Sequence, residues 1–170
     1  DYAHAAEVFS SVAERARKNT NLSSISPYID YYYGWALYKQ SNYQPAITAF
    51  LKVTPAPGSE GLSHKASYLA AWCAYSSQSY QEAKEILLPL LDASDLDAAF
   101  AAKSQFLYGK TLEELQENEE AAVVFQNLQK KMPDSEFADN ALYEYAAVLE
   151  RLERYEKSAE TYHALVKTYP

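Results

Sequence analysis

Three histidines, His4, His64 and His163, are the only imidazoles in the chain. No His-Glu-x-x-His spacing joins them, so the pattern that sets two zinc ligands and a general base on one helix face is missing. The four glycines form no phosphate-cradling loop. Glu113-Glu114 and Glu119-Glu120 are acidic pairs, but consecutive side chains diverge on a helix, so each reads as a solvated face rather than an acid–base couple. The single cysteine, Cys73, excludes an internal disulfide framework and a cysteine metal site. Its small, apolar neighbours make it a buried, inert thiol. The expectation is a chain with no catalytic residue, no metal site and no cofactor. Binding chemistry is better supplied. The two tryptophans, Trp35 and Trp72, stand among sixteen tyrosines, and such aromatics carry most of the energy at protein interfaces.

The segments around these aromatics repeat every 37 or 38 residues. One copy has Tyr33-Gly34, Leu37, Ala46, Phe50 and Pro55; a second has Ala70-Ala71, Ala74, Ala83 and Leu87. The third has Tyr108-Gly109, Leu112, Ala121, Phe125 and Pro133, and the fourth Tyr145-Ala146, Leu149, Ser158, Tyr162 and Pro170. Gly34, Ala71, Gly109 and Ala146 are small residues midway along a first helix, where a second helix must come close. A large residue four places after the second helix's own small one fills the space beside it, which packs without voids. Tyr43, Tyr80 and Tyr155 open three of the second helices, and Asn118 departs from that aromatic in the third. Tyr2, Ala5, Phe9 and Val12 match Tyr43, Ala46, Phe50 and Val53 at a constant offset of 41, so the chain opens in a second helix, Tyr2 to Arg17, without its first.

With its Gly-x2-Leu and Ala-x3-Phe pattern at this period, the chain resembles the tetratricopeptide-repeat (TPR) proteins. The resemblance implies an all-α fold, a right-handed superhelix of about four and a half helix–turn–helix repeats. Its boundaries are 1–22 for the lone second helix, then 27–61, 62–96, 97–133 and 134–170 for four repeats in a single domain. The missing first helix and the lack of a polar capping helix suggest excision from a longer chain. The ends, including the last helix around Tyr162, Leu165 and Val166, are expected to be apolar and open to self-association.

Punctuation places the helices. Ser26-Pro27 reads as an N-cap followed by a first-turn proline, beginning a helix to about Gln40. Thr20 to Ser26 is a polar connector. Ser41-Asn42 is a turn, and Pro45 is tolerated in the first turn after it. Thr54 to Ser63, with Pro55, Pro57, Gly58 and Gly61, is the longest linker. A helix ending at Gln78 gives way to a capping box, Ser79-x-x-Glu82, and Pro89 should kink or end its partner. Asp95 is the expected cap of the third pair, Asp134 or Ser135 of the fourth.

In TPR stacks the first helices line the inner wall. Three residues before, one after and four after the signature small residue should be exposed there. These are Tyr31, Trp35 and Tyr38 in the first repeat and Tyr68, Trp72 and Tyr75 in the second. The third gives Phe106, Lys110 and Glu113, and the fourth Tyr143, Ala147 and Glu150. TPR consensus sequences also place tyrosine at two of these three positions for packing, but not tryptophan at the middle one. The expected surface is aromatic in the first two repeats and acidic in the last two, suited to a protein or peptide carrying apolar anchors and basic residues. Co-chaperone TPR domains hold a carboxylate with Lys and Asn on this wall; Tyr31 and Trp35 stand there instead.

The charge supports that polarity. Residues 1–85 hold seven basic and seven acidic side chains, and residues 86–170 hold eight and sixteen, so the net charge of −8 lies in the second half. An acidic surface repels phosphate backbones, which argues against nucleic acid. No run of eighteen apolar residues spans a membrane. The last repeat, Met132 through Pro170, is similar in its loops to TPRs of bacterial envelope proteins, the TolA-binding periplasmic coordinators and outer-membrane assembly lipoproteins. That resemblance implies a scaffold in the periplasm or at the outer membrane. Two functions stay open: a non-catalytic scaffold binding a partner segment, and a structural spacer or self-association module.

Overall fold

The structure, a computed structural model, describes residues 1–17, 24–55 and 60–169. The expected connector residues 20–23, Pro57, Gly58 and Pro170 lie outside them. Among the described residues there are nine helices and no strand. They are α1 (Tyr2–Arg17), α2 (Ser26–Lys39), α3 (Tyr43–Phe50), α4 (Glu60–Ser76), α5 (Tyr80–Leu91), α6 (Ala98–Glu114), α7 (Asn118–Lys131), α8 (Ala138–Arg151) and α9 (Tyr155–Thr168). They fall into two compact units, Asp1–Leu90 and Leu91–Pro170.

Within the first unit α1 packs on α2, α2 on α3, and α4 on both α2 and α3. Its main core gathers Ala36, Ala46, Ile47, Phe50, Ala70 and Ala74, and α5 joins it through Ala83 and Ile86. A smaller cluster of Ala13, Ala16 and Ile29 ties α1 to α2, with Phe9 stacked on Tyr32 at 6.0 Å. In the second unit α7 packs on α6, α8 on α7 and α9 on α8. Leu112, Phe125, Leu128 and Leu149 are fully buried there.

The small-against-large rule holds in atomic detail. A Cβ on Gly34 would lie 2.8 Å from the Phe50 ring, and one on Gly109 would lie 2.5 Å from the Phe125 ring. Both rings are buried, and only hydrogen at positions 34 and 109 leaves them room. The second pair has alanine at 71 and the slimmer Leu87 sixteen residues later; both are wholly buried. The fourth pair puts Ser158 where the others have alanine. Its hydroxyl donates to the Ala146 carbonyl at 2.9 Å, which satisfies a polar group that is otherwise sealed in the core.

Each pair turns in the same way. Ser41, Gln78, Gln116 and Glu153, all seven residues after the signature small residue, have φ near +60°. The next N–H reaches back to the carbonyl of the helix's last turn: Asn42 to Leu37 at 3.0 Å, Ser79 to Ala74 at 2.8 Å, Glu117 to Leu112 at 2.9 Å and Arg154 to Leu149 at 2.8 Å. This is a Schellman closure, which satisfies end carbonyls that the helix leaves open.

Several helix starts differ from the sequence expectation. Ile25, not Ser26, holds the N-cap place of α2, and no side chain caps it. Asp97 rather than Asp95 caps α6, accepting the Phe100 N–H at 2.8 Å; it has the extended backbone that a cap needs, while Asp95 lies in the preceding turn. Neither Asp134 nor Ser135 caps α8, which begins after Phe137 with no side-chain cap bond. There the Phe137 ring packs on Phe106 at 5.3 Å, and backbone turns at Ser135 and Ala138 lead into the helix. The helix expected to reach Gln78 closes at Ser76, and α5 ends two residues past Pro89. The linker after Thr54 is shorter than read, since α4 begins at Glu60.

Candidate functional site

In the first unit the aromatic positions of α2 and α4 divide into packing and surface. Tyr31 is half-buried, with its ring edge on Phe50 at 5.9 Å and on Tyr32 at 5.5 Å. Burial, then the neighbouring Tyr32, raises its phenol above the ordinary value. Tyr68, expected on the exposed face, is only 8% exposed. Burial first, and Tyr38 second, push its phenol up to about 12. That placement corrects the sequence reading: this tyrosine spends its ring on core packing. Tyr38 and Tyr75 lean on the tyrosines that open the following helices, Tyr43 at 6.4 Å and Tyr80 at 5.5 Å.

The tryptophans differ from one another. Trp72 is 37% exposed and stacks on Tyr75 with ring centres 6.1 Å apart, so the two make one open aromatic face on α4. Trp35 is half-buried. The Tyr2 ring meets it edge-on at 5.9 Å, and the ammonium of Lys39 lies 4.6 Å from its centre and 5.6 Å from that of Tyr38. Sequence reasoning passed over Lys39 and Tyr2. Lys39 had a signal, since a residue four after Trp35 shares its helix face.

In the second unit Phe106 packs on Phe125 and Phe137, as a core ring does. Tyr143 is exposed and tilts against Tyr162 at 5.7 Å. Burial, then the Glu150 carboxylate, raises the Tyr162 phenol. Ala147 is half-buried and Glu150 is exposed. Glu113 is the main correction: it is buried, not a solvated carboxylate. Lys110 Nζ sits 2.7 Å from its Oε2, and Arg151 donates to its Oε1 at 2.6 Å. Lys110 also pairs with Glu144 at 3.0 Å, so a four-residue ion-pair chain joins α6 to α8. Burial alone would lower the Lys110 ammonium, but hydrogen bonds and attraction from Glu113 and Glu144 hold it above its ordinary value. Glu144 and Arg151 were not read as site residues. Glu144 had a signal, since its column otherwise holds Tyr32, Leu69 and Leu107, whereas Arg151 follows Lys39, Ser76 and Glu114 in a polar column and had none. Asn118 stands where the other second helices have tyrosine, and with Lys110, Glu113, Glu114, Gln116 and Arg151 it lines a cavity of about 370 Å³.

The first and last helices carry open apolar groups. Val166 is 72% exposed on α9, beside half-buried Leu165, and Val8 and Tyr2 are exposed on α1. Cys73 is fully buried, and burial pushes its thiol up to about 12. Among the described residues no group of three His, Cys, Asp or Glu side chains is placed to hold a metal ion, and no helix is long and apolar enough to cross a membrane.

The tetratricopeptide-repeat family pattern matches residues 103–135 and 140–170, both within the second unit. No curated protein matches the sequence significantly. Three solved structures share the fold across nearly all of the chain. One is a putative kinesin light chain with nearly identical TPR-like repeats from Podosopora anserina, at 14% identity and a TM-score of 0.76, covering 98% of this chain and 86% of that one. The second is MamA, residues 41 to the end, from Desulfovibrio magneticus RS-1, at 18% identity and a TM-score of 0.68, covering 96% and 94%. The third is YrrB, a TPR protein with an unusual peptide-binding site, at 19% identity and a TM-score of 0.68, covering 99% and 85%. At these identities the likeness concerns the fold.

Proposed function

We propose that this chain is a non-catalytic scaffold that holds a peptide or extended partner segment on the aromatic face of its first unit. The observation that carries the reading is Trp72: a large ring, 37% exposed and braced by Tyr75, on a surface helix. Exposed, braced tryptophans are the usual anchors of protein interfaces. The repeat class works mainly through protein partners, and the similar fold of YrrB carries a peptide site. Apolar or aromatic side chains of the partner meet Trp72 and Tyr75, and Trp35 and Tyr38 of α2 add further ring surface for the partner segment. Glu150, one of several exposed carboxylates of the second unit, adds attraction for basic residues.

Truncating such an anchor costs about 2 kcal/mol of binding or more, roughly thirty-fold in affinity. Trp72→Ala should therefore release partners that the immobilised wild-type chain retains, while Glu150→Ala mostly changes association rate and salt dependence. A second reading, a spacer that self-associates through its ends, is favoured by Val166 and its exposed surroundings on α9. If Leu165→Asp abolishes association and Trp72→Ala does not, that reading replaces the first. The similarity of the last repeat's loops to those of bacterial envelope TPR proteins supports a scaffold in the periplasm or at the outer membrane. Fractionation of the source cell tests this, and recovery from the cytosol would remove it.

A further inference from the structure

We propose that the ring pair Trp35–Tyr38 is a seat for a basic side chain of the partner, and that Lys39 of the chain itself occupies it in the free protein. This deepens the reading above and depends on it for the existence of a partner. Two kinds of surface can take a cation here, and the geometry separates them. The Glu113 side chain is 3% exposed and already holds Lys110 at 2.7 Å and Arg151 at 2.6 Å. An incoming ammonium would have to displace Lys110 or Arg151 from a buried carboxylate that both already hold.

The rings of α2 present the opposite situation. Lys39 Nζ lies 4.6 Å from the centre of Trp35 and 5.6 Å from that of Tyr38, both within the range where a cation is drawn to a π-face. Lys39 is exposed, and an exposed cation–π contact is weak enough to exchange. The seat is built rather than incidental, because the Tyr2 ring holds the indole edge-on at 5.9 Å. The contact Lys39 makes is thus an internal stand-in for the side chain of a partner's lysine or arginine, and binding exchanges one for the other.

The test uses the two indole N–H signals, one per tryptophan, in ¹H–¹⁵N spectra at constant ionic strength. The probe is Nα-acetyl-lysine methylamide, and its neutral counterpart is Nα-acetyl-norleucine methylamide. The Trp35 signal should move with the lysine probe and stay with the norleucine one. Lys39→Met should lower the midpoint roughly three-fold, the size of an exposed cation–π contact expressed as affinity. Lys52→Met removes the same charge away from the rings and should leave the midpoint in place. Equal shifts from both probes, or a midpoint unmoved by Lys39→Met, overturn the seat. Movement of the Trp72 signal alone overturns the seat but keeps the aromatic face, whereas silence of both indoles overturns both. If Lys39→Met fails to fold, the contrast between the two probes on the wild-type chain still decides.

Discussion

Gly109→Ala adds one methyl group where the structure has room for none. Its Cβ would lie 2.5 Å from Phe125 Cε1 and 2.6 Å from Cζ, whereas carbon atoms prefer roughly 3.5–4.0 Å. Phe125 has no exposed surface, and its ring is pressed against Phe106 at 5.7 Å, so it cannot swing into solvent to relieve the clash. Overpacking of this kind costs about 1–3 kcal/mol. Against it stands the gain from replacing glycine by alanine inside a helix, about 0.5–1 kcal/mol. The net expectation is a loss of about 1–2 kcal/mol, and less for Gly34→Ala, whose Cβ would stand 2.8 Å from Phe50. Urea unfolding followed by far-ultraviolet circular dichroism measures it through the midpoint, and amide exchange locates the loss in α6 and α7. Phe125→Leu combined with Gly109→Ala should be less harmful than the sum of the two, because leucine withdraws the ring edge; the coupling should be about 1 kcal/mol. A Gly109→Ala protein as stable as wild type, or more stable by the helix gain alone, would falsify the close-approach account of the repeat.

Glu113→Gln should cost about 1–2 kcal/mol, since it removes charge-assisted contacts from a buried carboxylate whose Arg151 partner is itself half exposed. Glu119→Gln, which breaks the exposed pair with Arg154, should change stability by less than about 0.5 kcal/mol in the same urea assay. Alkaline pH should destabilise the chain. Tyr68 ionises near its ordinary 10.0 when unfolded but only at about 12 when folded, so its contribution is complete below pH 10.0 and is lost as pH rises toward 12. The raised ammonium of Lys110 acts in the same direction, full below 10.5 and lost above it. Unfolding midpoints between pH 9 and 12 should fall, and Tyr68→Phe should flatten the decline. Cys73 should react with an aromatic disulfide reagent only as fast as the chain opens, so that urea below the midpoint accelerates labelling.

The repeat was legible because its signal is volume. Glycine at 34 and 109 and phenylalanine sixteen residues later can be read as complementary sizes, and the structure seats one on the other. Helix starts were less legible because five of them, those of α2, α3, α7, α8 and α9, have no capping side-chain bond. Phe137 begins α8 by burying a ring against Phe106, a contact across 31 residues that no local pattern announces. At α6 two aspartates stand two residues apart, and it is Asp97, with its extended backbone, that accepts the Phe100 N–H. The candidate site was legible as a set of columns but not as burial. Tyr68 and Glu113 occupy columns that are expected to face outward, yet the first is covered by its packing and the second is closed over by Lys110 and Arg151. A charge at position 113 looks solvated until its two partners, one in the next helix pair, are seen together.

The four left-handed turn residues carry a consequence for how this chain can change over time. Ser41, Gln78, Gln116 and Glu153 hold a conformation that costs an ordinary residue about 1–2 kcal/mol and glycine almost nothing, yet none of them is glycine. Each one lies in a turn, apart from the core rings and from the aromatic face of α2 and α4. Each helix pair therefore keeps an adjustable reserve at one surface position, which a single substitution can release locally. Stability can be raised or lowered pair by pair, by steps of well under the total, with the partner-facing side chains untouched. Such an arrangement separates the evolution of firmness from the evolution of recognition.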